Sequence, residues 1–437
     1  MTLRSTFLLI AILLHPTFLH ADWLQWRGPS GQGVAKEARI AAEWSESKNV
    51  AWRTEVPGRG WSSPVVVGDQ VWLTTAHETA ATEEEAAERL KENTGSQQLT
   101  VLSEVRLDAI CIDKKTGKIL KEIPALRKKS PQWVHATNSY ASPTPVIEEG
   151  RMYIQNGSYG TACIDIETHK VLWTNQELWV MHENGPGGSP AIWQDLIIFH
   201  MDGSDEQYIA AIDKQTGKVA WRTPRSGEMN SNPQLKKAYG SPVVTEIKGR
   251  EVVISPAANW VYAYDPASGE ELWKVAYEGL GFSIVPKPVI GDGMIYIGTS
   301  YMKPRMLGID ITGDQPSVAW EHKRNSPAIS SPILIDDALY FVSDKGGIVT
   351  CLDAKTGSER WRDRIGGNHS SSPTCAGGLL MFHSREGETA VLKPGAKFEL
   401  LQRNKLEGAH YATAAISDDS LFVRTDKALY KIEQSEN

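Results

Sequence analysis

The residues best suited to binding chemistry stand at repeated offsets ahead of a recurrent Ser-Pro pair. Three positions before the Pro, or its equivalent, are Trp61, Tyr140, Tyr239 and Tyr411. His369 and His410 occupy the position just before that, and Arg59, Asn138 and Asn368 lie one further out. His135 and His182 fall in neighbouring longer loops. Aromatic faces combined with amide, imidazole and guanidinium groups suit a concave site for a planar or polar ligand. A face-on ring of this kind could stack a quinone or a sugar. None of these histidines has a carboxylate or nucleophile at a spacing that marks a triad. No Cys-x-x-Cys or Cys/His spacing marks zinc, and no acidic cluster reads as a calcium cage. No catalytic residue and no metal ligand is therefore assigned. A plainer alternative stays open, in which the aromatics plug a channel and the histidines are ordinary turn residues.

The elements that hold these loops repeat. The Ser-Pro phrase continues into alternating apolar residues, a Gly/Asp turn and a second apolar run, as in Ser63-Pro64 to Leu73. Further copies start at Ser142, Ser189, Ser241, Ser331 and Ser372, with variants at Lys287 and Thr413, making eight. Period-2 patterning around a short turn predicts a β-hairpin. A second phrase follows, Asp213 to Gly217 to Trp221, repeated as Asp265 to Trp273 and Asp353 to Trp361, with weaker copies from Asp113, Asp165 and Asp310. Its Asp can close an Asx-turn, and its Gly supplies a positive φ. Each unit is four antiparallel strands over roughly 40 residues, which predicts an all-β, eight-bladed propeller. An orphan strand, Asn49–Val56, precedes the first unit, and the last unit stops after three strands. Pairing the two ends closes the ring and removes two sheet edges. Trp52, Trp173, Trp221, Trp273, Trp320 and Trp361 are expected on the outermost strands, packing blade on blade. Blade one has Leu120-Lys121 and blade seven Leu400 instead, and weaker interfaces are expected there.

Fifteen Trp against eight Phe in 437 residues fit that repeated packing role, and a net charge of −7 gives no general affinity for nucleic acid or anionic membrane. Residues 1–21 read as a Sec-type signal peptide cut after Ala21, because Arg4 precedes a short apolar run. That run is well short of the ~20 apolar residues a membrane span needs. The division expected is signal peptide 1–21, leader 22–47 and propeller 48–437, with a helical insertion at about 78–98 opened by a Thr82/Glu85 capping box. Cys111, Cys163 and Cys351 each precede a motif Asp by two residues, so they sit at equivalent positions too far apart to pair. Loop cations, among them Arg127, Lys128, Lys129, Lys236, Lys237, Lys323 and Arg324, are either a basic face or solvated charge.

The Asp-x-x-Thr-Gly-x-x-x-Trp repeats with Ser-Pro hairpins resemble the PQQ-like repeat family of propellers over about Trp52 to Ile432. The leader Trp23-Leu-Gln-Trp26-Arg-Gly-Pro29 resembles one common in exported proteins of that family. The resemblance implies one of two roles. One is that of a BamB-type scaffold, non-catalytic and binding protein partners. The other is that of a quinoprotein dehydrogenase of alcohols or sugars, holding pyrroloquinoline quinone (PQQ) and calcium on the axis. The chain lacks the adjacent Cys pair of the dehydrogenases and a Cys for lipid attachment near the cut. The expectation is therefore a periplasmic or secreted monomer that binds a protein partner or a small polar ligand at the axial mouth. The PQQ-dependent enzyme is the alternative, and recognition of a glycan or sugar acid a third.

Overall fold

The computed structural model describes residues 22–93, 95–277 and 281–434, so the signal segment assigned to 1–21 lies outside them. Eight antiparallel sheets of four strands follow one another along the chain. Blade one is Val65–Val67, Gln70–Ala80, Leu102–Asp113 and Ile119–Lys129. The next six begin at Val146, Ala191, Val243, Val289, Ile333 and Thr374. Blade eight takes Ala415–Ser417, Ser420–Arg424 and Ala428–Ile432 from the end of the chain and its fourth strand, Val50–Glu55, from the beginning. Arg53 lies opposite Tyr430 in that pairing, which closes the ring.

The repeated turn explains each outer hairpin. Asp213 Oδ1 accepts the Gln215 and Thr216 amides at 3.1 and 2.7 Å and the Thr216 hydroxyl at 2.8 Å. Gly217 then turns with φ +70°, a conformation any side chain would strain. A Cβ there would also lie 2.5 Å from the Trp173 ring of the preceding blade. The indole therefore lies on the turn of the next blade, and Trp173 Nε1 donates to Lys214 O at 3.0 Å. The same clasp joins Trp52 to Lys114 O, Trp221 to Pro266 O, Trp320 to Ala354 O and Trp361 to Gly395 O. Trp273 packs, partly buried, against the core of blades three to five. At the pairing position that holds Trp elsewhere, blade one places Lys121 and blade seven places Gln402. The blade-seven position is thus two residues beyond Leu400. All four Cys are free and buried, and burial pushes the Cys111 thiol up to about 12.

The Ser of each Ser-Pro phrase has a role of its own. Its hydroxyl accepts the amide of the equivalent residue one blade earlier. Ser63 N–H donates to Thr144 Oγ1, Thr144 to Ser189, Ser189 to Ser241, Lys287 to Ser331, Ser331 to Ser372, Ser372 to Thr413, and Thr413 back to Ser63, all at 2.8–3.1 Å. These bonds form a girdle around the axis. It also corrects one register: the blade-two copy is Thr144-Pro145, which leads into Val146, and not Ser142-Pro143.

The leader crosses the bore. Trp23 pairs with Val66 of blade one, and Leu24 O accepts the Ile147 amide of blade two at 2.8 Å. Gln32 then reaches Ile290 O of blade five and Arg27 reaches Pro332 O of blade six. Val34–Ala35 runs parallel to Cys375–Ala376 as an added strand on blade seven. The insertion in blade one forms the helix Glu83–Arg89, and Thr82 Oγ1 accepts the Glu85 amide at 3.1 Å. Its return, Leu99–Thr100, pairs with Val134–His135 beside the mouth.

Candidate functional site

The loops ahead of the girdle surround a cavity of about 440 Å³. Trp26 of the leader is part of its wall, alongside the girdle residues Ser63, Thr144, Ser189, Ser372 and Thr413. Of the residues singled out from sequence, Trp61, His135, Asn138, Tyr239 and Tyr411 line it. Trp61 and Tyr411 stack on each other with ring centroids 4.3 Å apart and 19° between planes. The Arg59 guanidinium lies 5.4 Å from the Trp61 centroid and bonds Ala136 O at 2.7 Å. It also faces Glu78 at 3.8 Å, whose carboxyl is raised by burial in spite of that arginine.

The amides are fixed by the backbone around them. Asn138 Nδ2 donates to Asn184 O and Pro186 O at 2.8 and 3.1 Å, and its Oδ1 accepts the Ser142 hydroxyl. Tyr239 donates to His182 O at 2.6 Å and accepts from Asn184 Nδ2 at 3.1 Å. His135 Nδ1 accepts the Thr137 amide at 3.2 Å, so the neutral ring carries its proton on Nε2. Burial lowers the pKa of His135.

Two cations, Lys237 and Arg385, complete the wall, and no carboxylate is among the described lining residues. Desolvation lowers Lys237 to about 8, against the opposing pull of Glu183. Arg385 Nε is buried without a partner. Sequence reasoning missed Trp26, Asn184 and Arg385 as wall residues, and placed Lys237 only among loop cations. Asn184 lies two residues beyond the flagged His182, and Trp26 was visible in the leader motif. Nothing local marks Arg385.

The other candidates lie behind the wall. Tyr140 is fully buried with its hydroxyl on Gln132 O at 2.9 Å. The two-residue register shift in blade two is the reason, because Ser142 takes the mouth position instead. His182 is buried, its Nε2 accepts the Ser158 amide at 3.3 Å, and desolvation lowers it to about 4. His369 is held between His383 O and Gly366 O, each at 2.9 Å. His410 is buried 5.4 Å from His383, ring to ring, and is likewise lowered to about 4. Asn368 secures Glu386 through its amide and side chain at 2.8 and 2.7 Å.

Calcium and PQQ, implied by the dehydrogenase resemblance, can be tested against this wall. Calcium takes six to eight oxygens, usually with carboxylates among them. The lining offers none, and Asn138 Oδ1 is already engaged by Ser142. Tyr411 and Arg59 together cover the indole on which a quinone would stack. The residues present do not fit the pair. One other set, His77, Asp108 and Glu122, has metal-like spacing. There the Arg106 guanidinium already bridges Asp108 and Glu122 at 2.8–2.9 Å.

Fold and site thus define an eight-bladed propeller, crossed by its own leader, whose axial cavity sets fixed amides and two cations among aromatic and apolar surface. The chain belongs to the family described as outer membrane protein assembly factor BamB, whose model matches residues 33–223, 175–313 and 257–394. It is 26% identical over 177 residues to an outer membrane protein assembly factor BamB of Yersinia pestis, covering 40% of this chain and 42% of that one. A Shewanella oneidensis protein of the same name is 21% identical over 272 residues, 56% of this chain and 63% of its own. The quinohemoprotein alcohol dehydrogenase ADH-IIG of Pseudomonas putida is 23% identical over 236 residues, 47% of this chain and 31% of its own. The matches thus span less than two thirds of each of these relatives. The crystal structure of BamB from Moraxella catarrhalis shares the fold, with a TM-score of 0.56 and 16% identity over 77% of this chain and 99% of that one.

Proposed function

We propose that the protein is an exported, monomeric, non-catalytic propeller that binds or scaffolds a partner at its axial mouth, in the periplasm or outside the cell. The observation that carries this reading is the wall itself. Asn138, Asn184 and Tyr239 are held by one another and by backbone, and no described lining group is a carboxylate. A wall of engaged amides and hydroxyls supports recognition, and His135 and Lys237 are the basic side chains on it beside Arg385. Lys237 and Arg385 favour an acidic or carbonyl-rich segment, and the Trp61–Tyr411 pair offers apolar area beside them. Kinship with outer membrane assembly factors supports a protein partner. A small polar ligand is the other occupant of the same wall.

The test places a photo-crosslinking residue at Gln234, on the wall, and at Leu172, exposed on an outer strand. The reading expects a specific protein adduct from position 234 and none from 172. In parallel, PQQ with calcium is titrated and dye reduction assayed with alcohols and sugars. Saturable binding with turnover would overturn the non-catalytic reading.

A further inference from the structure

The girdle of hydroxyls is broken at one blade, and the residue that breaks it is charged. Seven blades place Ser or Thr ahead of their first strand, whereas blade five places Lys287. Lysine has no oxygen to accept the Ser241 amide, so the ring of bonds is interrupted between blades four and five. The Lys287 side chain turns instead to the leader. Its ammonium lies 5.7 Å from the Trp26 ring centroid, and a Cβ at Gly31 would lie 2.6 Å from Nζ. Gly31 thus leaves the space that the ammonium fills.

A second cation meets it on the same leader turn. Arg27 is fully buried, and a Cβ at Gly33 would lie 3.0 Å from its Nε. One guanidinium nitrogen, Nη2, donates to Gln32 O and Pro332 O at 2.9 and 2.8 Å. The other two, Nε and Nη1, are buried with no partner. Neither Arg27 nor Lys287 makes an ion pair with any described carboxylate. Lys287 is only 7% exposed. Burying one unpaired charge is strongly unfavourable, and burying two of the same sign near each other more so. Buried cations are as a rule paired, and orphaned donors on a buried arginine call for an acceptor.

We propose that Arg27 and Lys287 hold a small free oxyanion of the phosphate or sulfate class inside the leader plug, against Trp26. The guanidinium supplies hydrogen bonds from its unpartnered nitrogens, and the ammonium supplies charge from across the turn. Neither cation is part of the cavity wall while Trp26 is, so the anion lies next to the mouth site and meets its lining only through Trp26. Its effect is to neutralise the plug and fix the leader across the bore. The site does not depend on what the mouth binds.

The test is calorimetric titration of the full mature protein, freed of bound anions by dialysis, with inorganic phosphate and separately with sulfate. One saturable site for either anion is expected, with a change in Trp26 emission that disappears in Trp26→Phe. Lys287→Ser removes the charge and restores the missing hydroxyl of the girdle, and should weaken anion binding at least tenfold. Lys287→Met, which keeps the length and loses only the charge, should do the same. Absence of saturable binding of both anions to the wild type would overturn the proposal whatever the variants do. Undiminished binding to Lys287→Ser or Lys287→Met would overturn it as well.

Discussion

Replacing Ser372 by Ala removes one link of the girdle and little else. Ser372 is 3% exposed, its Oγ accepts the Ser331 amide at 2.9 Å, and its own amide donates to Thr413 Oγ1 at 3.1 Å. The second bond survives the substitution and the first does not. Ser331 is fully buried, so its amide is left without an acceptor. An orphaned buried donor costs about 1–3 kcal/mol. Alanine fits the space of serine, so no cavity term adds to this. Ser189→Ala orphans the Thr144 amide in the same way and should cost a similar amount. The two sites share no partner, so the double variant should lose the sum within about 0.5 kcal/mol. Urea unfolding followed by Trp fluorescence reads this as a shift in midpoint at constant slope. Loss of less than about 0.5 kcal/mol, the range of ordinary surface changes, would refute the girdle as a stabilising element.

Three further outcomes follow from the same geometry. Trp221→Phe should lose the Nε1 bond to Pro266 O, about 1 kcal/mol, while Trp221→Ala should lose about 3–5 kcal/mol; equal losses in urea unfolding would contradict the clasp. His182, His200 and His410 are each lowered to about 4 by burial. Between about 4 and the unfolded value near 6.5 the unfolded chain holds more protons, so stability falls as pH drops through that window. The pH slope of the unfolding midpoint should be shallower in His410→Gln, and an unchanged slope would count against its burial as a neutral ring. For the mouth, Trp61→Ala should abolish the adduct formed from position 234 while leaving the fold intact by circular dichroism; persistence of the adduct would move the partner away from the aromatic pair.

The fold was legible because the repeat is written in residues whose chemistry is local. Asp213, Thr216 and Gly217 form their turn from contacts within five residues, so spacing alone finds it. The closing strand was legible from counting, since an orphan strand precedes the first unit and the last unit lacks one, and Val50–Glu55 fills that place. The site was less so, because membership of the cavity depends on register to within one or two residues. Two Pro in Ser142-Pro143-Thr144-Pro145 made the wrong pair look equivalent, and the error carried Tyr140 into the list and Ser142 out of it. His369 and His410 have the right spacing and His182 lies in a nearby loop, yet all three point into the packing behind the wall, where burial lowers their pKa. The path of the leader was not legible at all, because each of its partners comes from a different blade.

The functional content of such a ring lies where the repeat fails. Eight equal blades would give an eightfold bore lined by hydroxyls and open at both ends. Here the leader crosses it, reaching blades one and two at one end of its course and blades five to seven at the other. Symmetry is lost again at blade five, where the hydroxyl becomes an ammonium turned toward that leader. The two departures meet at Trp26, which lines the cavity and has Lys287 over its ring. A substitution at Lys287 or Arg27 can therefore alter the mouth without touching a partner, by letting the leader move. Mouth variants such as Trp61→Ala act on the partner directly and leave the leader in place. Comparing the two kinds of variant in one crosslinking assay separates the plug from the recognition surface.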